Sequence, residues 1–107
     1  DAARTYGPRE ALVFEGRRWT FVELADEVLR AMATLRARSV TPGARVVLSA
    51  RNRPETLVFL LAVTELGATV VPLHPRLTER ERAEMIADAA PSLVLGDDDL
   101  TGRDRLP

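Results

Sequence analysis

Residues 45–71 read RVVLSARNRPETLVFLLAVTELGATVV, and this stretch decides the fold. Residues 45–50 have the continuous apolar character of a strand that is buried on both faces of a sheet. Residues 57–63 are apolar on every side, which predicts a helix with little surface exposed to water. Residues 69–71 predict a second buried strand. A strand, a helix and a strand joined by short connections predict a right-handed crossover within a parallel sheet.

Capping and turn residues define the ends of the helix between these strands. Asn52 is a favourable N-cap, Pro54 suits the first turn, and Glu55 stands where a capping-box partner is expected. Gly67 predicts the end of the helix, because glycine readily adopts the left-handed conformation needed there. The sequence therefore predicts a helix that begins after Asn52 and ends before Gly67.

The residues before this unit predict a hairpin and an amphipathic helix. Residues 11–14 and 17–20 are expected to form two short strands, with Gly16 in the turn. Thr20 and Glu23 have the spacing of a capping box. Asp26 and Arg30 are placed to pair at the i,i+4 spacing on the polar face. The apolar face of the helix comprises Phe21, Leu24, Ala25, Val28, Met32 and Leu35.

A second capping box, Thr78 with Glu81, predicts a helix that reaches about Ala90 and stops at Pro91. Residues 92–95 predict a further strand, and residues 97–107 predict a polar, frayed tail. The fold class is therefore α/β: an N-terminal β-hairpin followed by a short parallel sheet with helices on both faces. A domain of this length buries only about two-thirds of its unfolded surface. Because the helix at residues 57–63 is uniformly apolar, we expect either a partial subdomain of a larger protein or self-association.

Composition excludes several kinds of chemistry. All fifteen basic residues are arginine, so this chain cannot carry chemistry that requires lysine. It also has no cysteine, which excludes disulfides, thiolate nucleophiles and cysteine metal sites. The net charge of -1 indicates no preference for nucleic acid or for a membrane surface. No apolar run is long enough to span a bilayer. The lack of cysteine is compatible with a reducing compartment, and we expect a cytoplasmic protein.

Five segments of the chain carry a family resemblance: residues 16–24 (GRRWTFVEL), 42–48 (PGARVVL), 52–55 (NRPE), 67–75 (GATVVPLHP) and 77–79 (LTE). In this order they resemble the N-terminal region of the adenylate-forming (AMP-binding) superfamily, which includes acyl- and aryl-acid:CoA ligases, peptide-synthetase adenylation domains and luciferases. The sequence departs from the family pattern at Ala44, where an acidic residue is usual, and at His74, where asparagine is usual. Neither position is catalytic in the family.

The resemblance implies a fragment of an ATP-dependent ligase that forms an acyl-adenylate and then an acyl-CoA, using ATP, Mg²⁺ and CoA. Residues 1–96 would be the N-terminal part of its large AMP-binding domain. The family's catalytic groups are a glycine-rich phosphate loop ending in lysine, a glutamate that orients the metal, a ribose-binding aspartate and a second lysine. This chain lacks the phosphate loop and any lysine. We therefore expect it to carry no catalytic, cofactor-binding or metal-binding residue, to bind no cofactor and to be inactive alone.

The resemblance also implies partners: the remainder of the parent chain, a carboxylic acid and CoA. Residues 72–78 (PLHPRLT) look most like simple CoA ligases, including the o-succinylbenzoate:CoA ligases of menaquinone biosynthesis.

A few residues invite a functional interpretation, and each also has a structural one that we favour. His74, the single histidine, lies between two prolines after a strand and suits a turn. The run of aspartates at residues 97–99 suits a solvated loop better than a cation site. Arg51 and Arg53 flank a helix start, where an anion can bind, but a surface role is favoured. Trp19 is expected to be a core aromatic.

Alternative protein classes fit less well. A free-standing α/β binding or interaction module would need a fully covered sheet, and the apolar helix argues against one. A dinucleotide-binding domain needs glycines directly after the first parallel strand, where residues 49–54 supply none. A receiver-type signalling domain needs an aspartate at a strand end and a lysine. Ala50 occupies that strand end, and lysine is absent.

Overall fold

The computed structural model describes residues 9–101 of the chain. Within these residues it contains two small sheets and three helices in the predicted order, followed by a fourth, short helix at the end. The elements are β1 (Glu10–Phe14), β2 (Arg17–Thr20), α1 (Phe21–Ala37), β3 (Arg45–Ser49), α2 (Pro54–Glu65), β4 (Thr69–Pro72), α3 (Glu79–Ala89), β5 (Leu93–Gly96) and α4 (Asp97–Thr101).

Strands β1 and β2 form the predicted antiparallel hairpin. The turn residues Glu15 and Gly16 both have positive φ, 48° and 81°, as a two-residue type I′ turn requires. Arg17 Nη1 lies 3.3 Å from Glu55 Oε2, so the hairpin is tied to the first turn of α2. Arg17 also stacks over the ring of Trp19, 4.4 Å from its centroid, and Trp19 is buried as predicted.

Helix α1 begins with the predicted capping box. Glu23 N donates to Thr20 Oγ1 at 3.1 Å, and Thr20 N donates to Glu23 Oε1 at 2.8 Å. The predicted Asp26–Arg30 pair does not form; Arg30 Nη2 instead lies 3.7 Å from Glu27 Oε1, one helical turn away. The i,i+3 and i,i+4 positions both face a helical residue, so local spacing alone does not choose between them.

Helix α1 ends without a glycine at the left-handed position that follows its C-cap residue, Arg38. Ser39 takes the left-handed conformation, with φ 67°, and Val40 N donates to Leu35 O at 3.0 Å. This pattern is a Schellman motif, in which the residue after the left-handed position packs against the last helical turn. Val40 is 3% exposed and Leu35 is fully buried, so burial of these two side chains accompanies the strained backbone at Ser39.

Strands β3, β4 and β5 form a parallel sheet in the order β4-β3-β5. The chain moves from β3 to one neighbour through α2, and back across β3 to the other through α3. Right-handed crossovers in opposite directions place α2 and α3 on opposite faces of the sheet. Val47 is fully buried between Val46 and Leu48, which face the α2 side. The predicted fold class, a hairpin followed by a parallel sheet with helices, is confirmed.

The main core lies between the sheet and the pair of helices α1 and α2. The inner side of α2 is buried through Val58, Phe59, Ala62 and Val63, each at most 1% exposed. Leu60, on the same helix, is 37% exposed. The uniformly apolar helix predicted from the sequence is therefore covered on one side only.

The N-terminus of α2 differs from the prediction. Its N-cap is Arg53, which makes no side-chain capping hydrogen bond, and Asn52 lies one residue before it. The connection is held instead by Thr56 Oγ1, which donates to Arg51 O at 2.5 Å. The predicted cap at Asn52 is therefore wrong: Thr56, in the first turn of α2, and Asp97, at the β5–α4 junction, instead bind the backbone of Arg51.

Helix α3 begins with the second predicted capping box: Glu81 N donates to Thr78 Oγ1 at 3.1 Å, and Thr78 N donates to Glu81 Oε1 at 3.0 Å. The backbone hydrogen bond from Thr78, and then the one from its side chain, lower the pKa of the Glu81 carboxyl from its usual value. No residue of α3 is buried, so this helix covers its face of the sheet only lightly.

The expected frayed tail is wrong for residues 97–101, which form α4. Leu100 is fully buried in the main core, and Asp99 Oδ2 accepts a hydrogen bond from Gly96 N at 2.8 Å. The aspartates therefore start a short helix that one leucine anchors, rather than a solvated loop. Residues 102–107 lie outside the described residues. Within residues 9–101, no helix has both the length and the apolar character needed to cross a membrane.

Candidate functional site

A cleft lies at the carboxyl ends of β3 and β4. The loops that follow these strands diverge, because α2 and α3 leave on opposite faces of the sheet, and ligands of open α/β sheets bind outside the carboxyl ends of the strands. The cleft has a volume of about 780 Å³. Its lining comprises Leu48, Ala50, Arg51, Asn52, Thr56, Leu60, Pro72, Leu73, His74, Pro75 and Arg76.

The cleft combines an apolar floor with a basic rim. Leu48 and Leu73 are buried beneath it, and the partly exposed Leu60 contributes a side chain from α2. Arg51 and Arg76 are exposed at the rim. An apolar surface with a few polar groups is the usual lining of a small-molecule site. The sequence did not reveal this cleft, because the two loops that form it are separated by α2 and β4.

His74 lies on the rim and makes a local contact. Its Nδ1 accepts a hydrogen bond from Arg76 N at 3.0 Å, and its carbonyl accepts one from Leu77 N at 3.2 Å. In the neutral ring this leaves the proton on Nε2. The imidazole therefore supports the turn after β4, which agrees with the structural interpretation, while its edge lines the cleft.

Asp97 fixes the loop on the other wall of the cleft. Its Oδ1 accepts hydrogen bonds from Arg51 N at 3.1 Å and from Arg53 Nη2 at 2.7 Å, and its Oδ2 lies 3.6 Å from Arg51 Nε. The side chains of Arg53 and Asp97 are 22% and 29% exposed, whereas that of Arg51 is 70% exposed. The expected surface role therefore holds for Arg51 but not for Arg53.

These ion pairs also involve both arginines that the sequence places at the helix start. The Asp97 carboxylate, from the β5–α4 junction, already pairs with both arginines that flank the start of α2. Arg53 Nε is buried without a hydrogen-bond partner in the described part of the chain. The sequence offered one hint of this arrangement: an acidic residue directly after a buried strand, on the edge where the arginines lie.

The side chains around the cleft can bind a polar or anionic group, since they supply guanidinium, amide, hydroxyl and imidazole hydrogen-bonding groups. Among residues 9–101, no group of three or more His, Asp or Glu side chains is placed to hold a metal ion.

Comparison with solved structures places this scaffold in known enzymes. The N-terminal subdomain of Klebsiella oxytoca NpsA in complex with anthranilyl-AMSN superposes with a TM-score of 0.85 and 29% identity, over 90% of this chain and 25% of that chain. O-succinylbenzoate Coenzyme A Synthetase (MenE) from Bacillus subtilis, in complex with AMP, gives a TM-score of 0.85 and 28% identity, over 96% of this chain and 27% of that one.

Curated relatives agree with the structural match. One relative, from Mycobacterium tuberculosis, is 40% identical over 101 residues, 89% of this chain. Its name describes a CoA ligase for a propanoyl group that bears a methyl-dioxo-octahydro-indenyl substituent. A 2-succinylbenzoate–CoA ligase of Bacillus pumilus is 35% identical over 80 residues, 75% of this chain. The chain spans 20% of the first relative and 16% of the second. The family described as AMP-binding enzyme matches residues 1–106. With this match over nearly its whole length, the chain belongs to the AMP-binding, adenylate-forming enzyme family.

Proposed function

We propose that this chain is the N-terminal part of an ATP-dependent acid:CoA ligase, which uses ATP, Mg²⁺ and CoA to convert a carboxylic acid first to an acyl-adenylate and then to an acyl-CoA. The observation that carries the proposal is the 40% identity, over 89% of this chain, to a protein named as a CoA ligase. Residues 1–96 belong to its large AMP-binding domain. Because Leu100 packs into the same core, that domain extends at least to the end of α4.

In this proposal the described residues act as a scaffold, and the reacting groups come from the remainder of the polypeptide. Adenylate formation moves charge onto a phosphoryl group, which requires preorganised cations and dipoles around it. The chain has no lysine. Arg53, which follows the cleft-lining residues Arg51 and Asn52, forms an ion pair with Asp97. The chain alone is therefore inactive.

The narrower proposal is an o-succinylbenzoate:CoA ligase of menaquinone biosynthesis that acts in the cytoplasm. It is supported by the resemblance of residues 72–78 and by two relatives with that name, from Bacillus pumilus and Listeria monocytogenes, each 35% identical. A peptide-synthetase adenylation unit is the second candidate, because a hybrid synthetase of Xenoacremonium sinensis is 34% identical over 77% of the chain.

An assay of the full-length gene product tests these proposals. We expect AMP release that requires both a carboxylic acid and CoA, with o-succinylbenzoate the best acid in a panel that includes aryl, fatty and amino acids. Acid-dependent exchange of pyrophosphate into ATP, with an amino acid preferred and no acyl-CoA formed, would favour the adenylation unit. Absence of any acid-dependent AMP or exchange would contradict both candidates. The 107-residue chain, assayed at the same concentration, is the matched control and should show no activity.

A further inference from the structure

The outer face of α1 carries an apolar stripe. Leu29 is 60% exposed and Val22 is 46% exposed, although both are large apolar side chains. Ala33 is exposed on the same face, because the steps from residue 22 to 29 and from 29 to 33 are close to whole turns of a helix. The opposite face, which includes Leu35, is buried in the main core. Helix α1 is therefore apolar on two sides, and residues 9–101 cover only one of them.

The charges beside this stripe are separated along the helix. Asp26 and Arg30 lie one turn apart on the same flank of the stripe, and both are exposed. Arg30 Nη2 lies 3.7 Å from Glu27 Oε1, and Asp26 has no ion-pair partner among residues 9–101. The flank therefore presents an unpaired carboxylate and, one turn closer to the C-terminus of α1, a guanidinium group.

Asp26 also borders a recess between α1 and the hairpin. The recess has a volume of about 210 Å³ and is lined by Arg18, Trp19, Glu23, Asp26, Glu27 and Arg30. Two of its three carboxylates already have partners, since Glu23 caps the helix and Glu27 lies beside Arg30. An arginine that entered the recess from another molecule would therefore pair with Asp26, through a charge-assisted hydrogen bond.

Two copies of α1 can bring these groups together around a two-fold axis. In an antiparallel pair with the axis level midway between Asp26 and Arg30, Asp26 of each copy lies opposite Arg30 of the other. Val22 then falls within about 1.5 Å, along the helix, of the level of Ala33 in the other copy, and the two Leu29 side chains are about 3 Å apart along it. A parallel pair would instead place each charge beside the same charge of the other copy, which is repulsive.

We propose that the outer face of α1 is a self-association surface, on which α1 of a second copy packs antiparallel and Asp26 pairs with Arg30 in both directions. The choice of a second copy follows from the self-complementary charges, because a two-fold interface uses the same patch on both partners. The proposal does not depend on the reaction that the enzyme catalyses. A pair of single helices buries less than the roughly 1,200 Å² of a standard interface, so the dimer is weak, with a dissociation constant on the order of 10–100 μM.

Sedimentation velocity of the full-length protein, from about 1 to about 300 μM, tests the proposal. We expect a monomer–dimer equilibrium. Asp26→Arg and Arg30→Asp each turn both attractive contacts into like-charge contacts, so each should weaken the dimer at least about tenfold. Leu29→Gln should also weaken it, because it removes the apolar centre of the contact. Glu84→Arg, an equal change of charge on the exposed face of α3, is the matched control and should leave the dimer unchanged. Circular dichroism verifies that every variant is folded.

Mixing the two charge variants tests the antiparallel arrangement itself. A copy with Asp26→Arg and a copy with Arg30→Asp restore opposite charges at both contacts, so their equimolar mixture should dimerise within about threefold of the wild-type affinity. Weakening in both single variants without recovery in the mixture would refute this arrangement.

Two further results would overturn the proposal. The first is a full-length protein that stays monomeric at about 300 μM, or whose dimer Asp26→Arg and Arg30→Asp leave unchanged. The second is dimerisation of the 107-residue chain but not of the full-length protein, which would show that the rest of the polypeptide covers α1. Either result would leave the proposed function intact, because acid-dependent release of AMP is measured separately.

Discussion

Replacing Asp97 by alanine removes the side chain that joins the β5–α4 junction to the loop before α2. Two hydrogen bonds are lost, from Arg51 N and from Arg53 Nη2, and Arg53 keeps its charge at a position where its side chain is only 22% exposed. A hydrogen bond to a charged group contributes about 1.5–3 kcal/mol, and partial exposure of this pair favours the lower part of that range for each bond. We therefore expect a loss of about 2–3 kcal/mol in the free energy of unfolding. Stabilities of whole domains are of order 5–15 kcal/mol, so the effect should be large.

The assay is urea unfolding followed both by helical circular dichroism and by the fluorescence of Trp19, the single tryptophan, which is buried in the hairpin. Asp98→Ala is the matched control, because Asp98 is the exposed neighbour on the same helix turn. Asp97→Asn keeps an acceptor for Arg51 N but loses the charge, so its stability should lie between those of the wild type and Asp97→Ala. If Asp97→Ala and Asp98→Ala unfold within about 0.5 kcal/mol of each other, the ion pair does not hold the loop and the reasoning is wrong.

The other predictions concern single side chains, and urea unfolding measures all but the pH effect. Phe59→Ala should destabilise the chain by about 3–5 kcal/mol, because it opens a cavity in the core between α2 and the sheet; a cost near 1 kcal/mol would show that this core is loosely packed. Thr78→Ala should cost about 1 kcal/mol through loss of the α3 cap. The pKa of Glu81 is lowered in the folded state from its usual value of 4.5. The Glu81 carboxylate therefore stabilises the fold above pH 4.5, and this stabilisation is lost as the pH falls through the folded pKa. A Glu81→Gln variant should lose stability less steeply than the wild type in an acid titration. Ser39→Gly should stabilise the chain by about 0.5–1 kcal/mol by relieving the left-handed serine, and destabilisation would contradict the assigned backbone geometry.

Much of the secondary structure could be predicted, because its signals are local. The capping boxes at Thr20 and Thr78 each use a partner three residues away, and both form as expected. The buried strands β3 and β4 and the turn at Gly16 also depend on short segments whose residue types have strong conformational preferences. The family resemblance, carried by segments in the expected order, was likewise readable from the sequence.

The errors arose where distant residues decide the local structure. Asn52 is a good N-cap by residue type. However, Asp97, which is 46 residues from Arg51, binds the loop before α2 in a conformation that leaves Asn52 outside the N-cap position. The aspartates at residues 97–99 suggested a solvated loop, because sequence alone did not show that Leu100 reaches the core. The left-handed Ser39 is likewise explained by the burial of Val40, which is a tertiary contact.

The cleft could not be predicted for a related reason. Its two walls, from the loops after β3 and β4, come together only once the strands are side by side and the helices depart on opposite faces. Single residues such as His74 therefore indicated a turn and no more, although the ring also lines the cleft.

Calorimetric titration with ATP and Mg²⁺ tests most directly whether the residues present here form a scaffold without the nucleotide site. The 107-residue chain and the full-length protein would be titrated in parallel, after amide exchange at Val94 has shown that the sheet is folded in both. We expect saturable binding by the full-length protein and no saturable heat from the 107-residue chain. Tight, saturable binding of ATP by the chain alone would contradict this account.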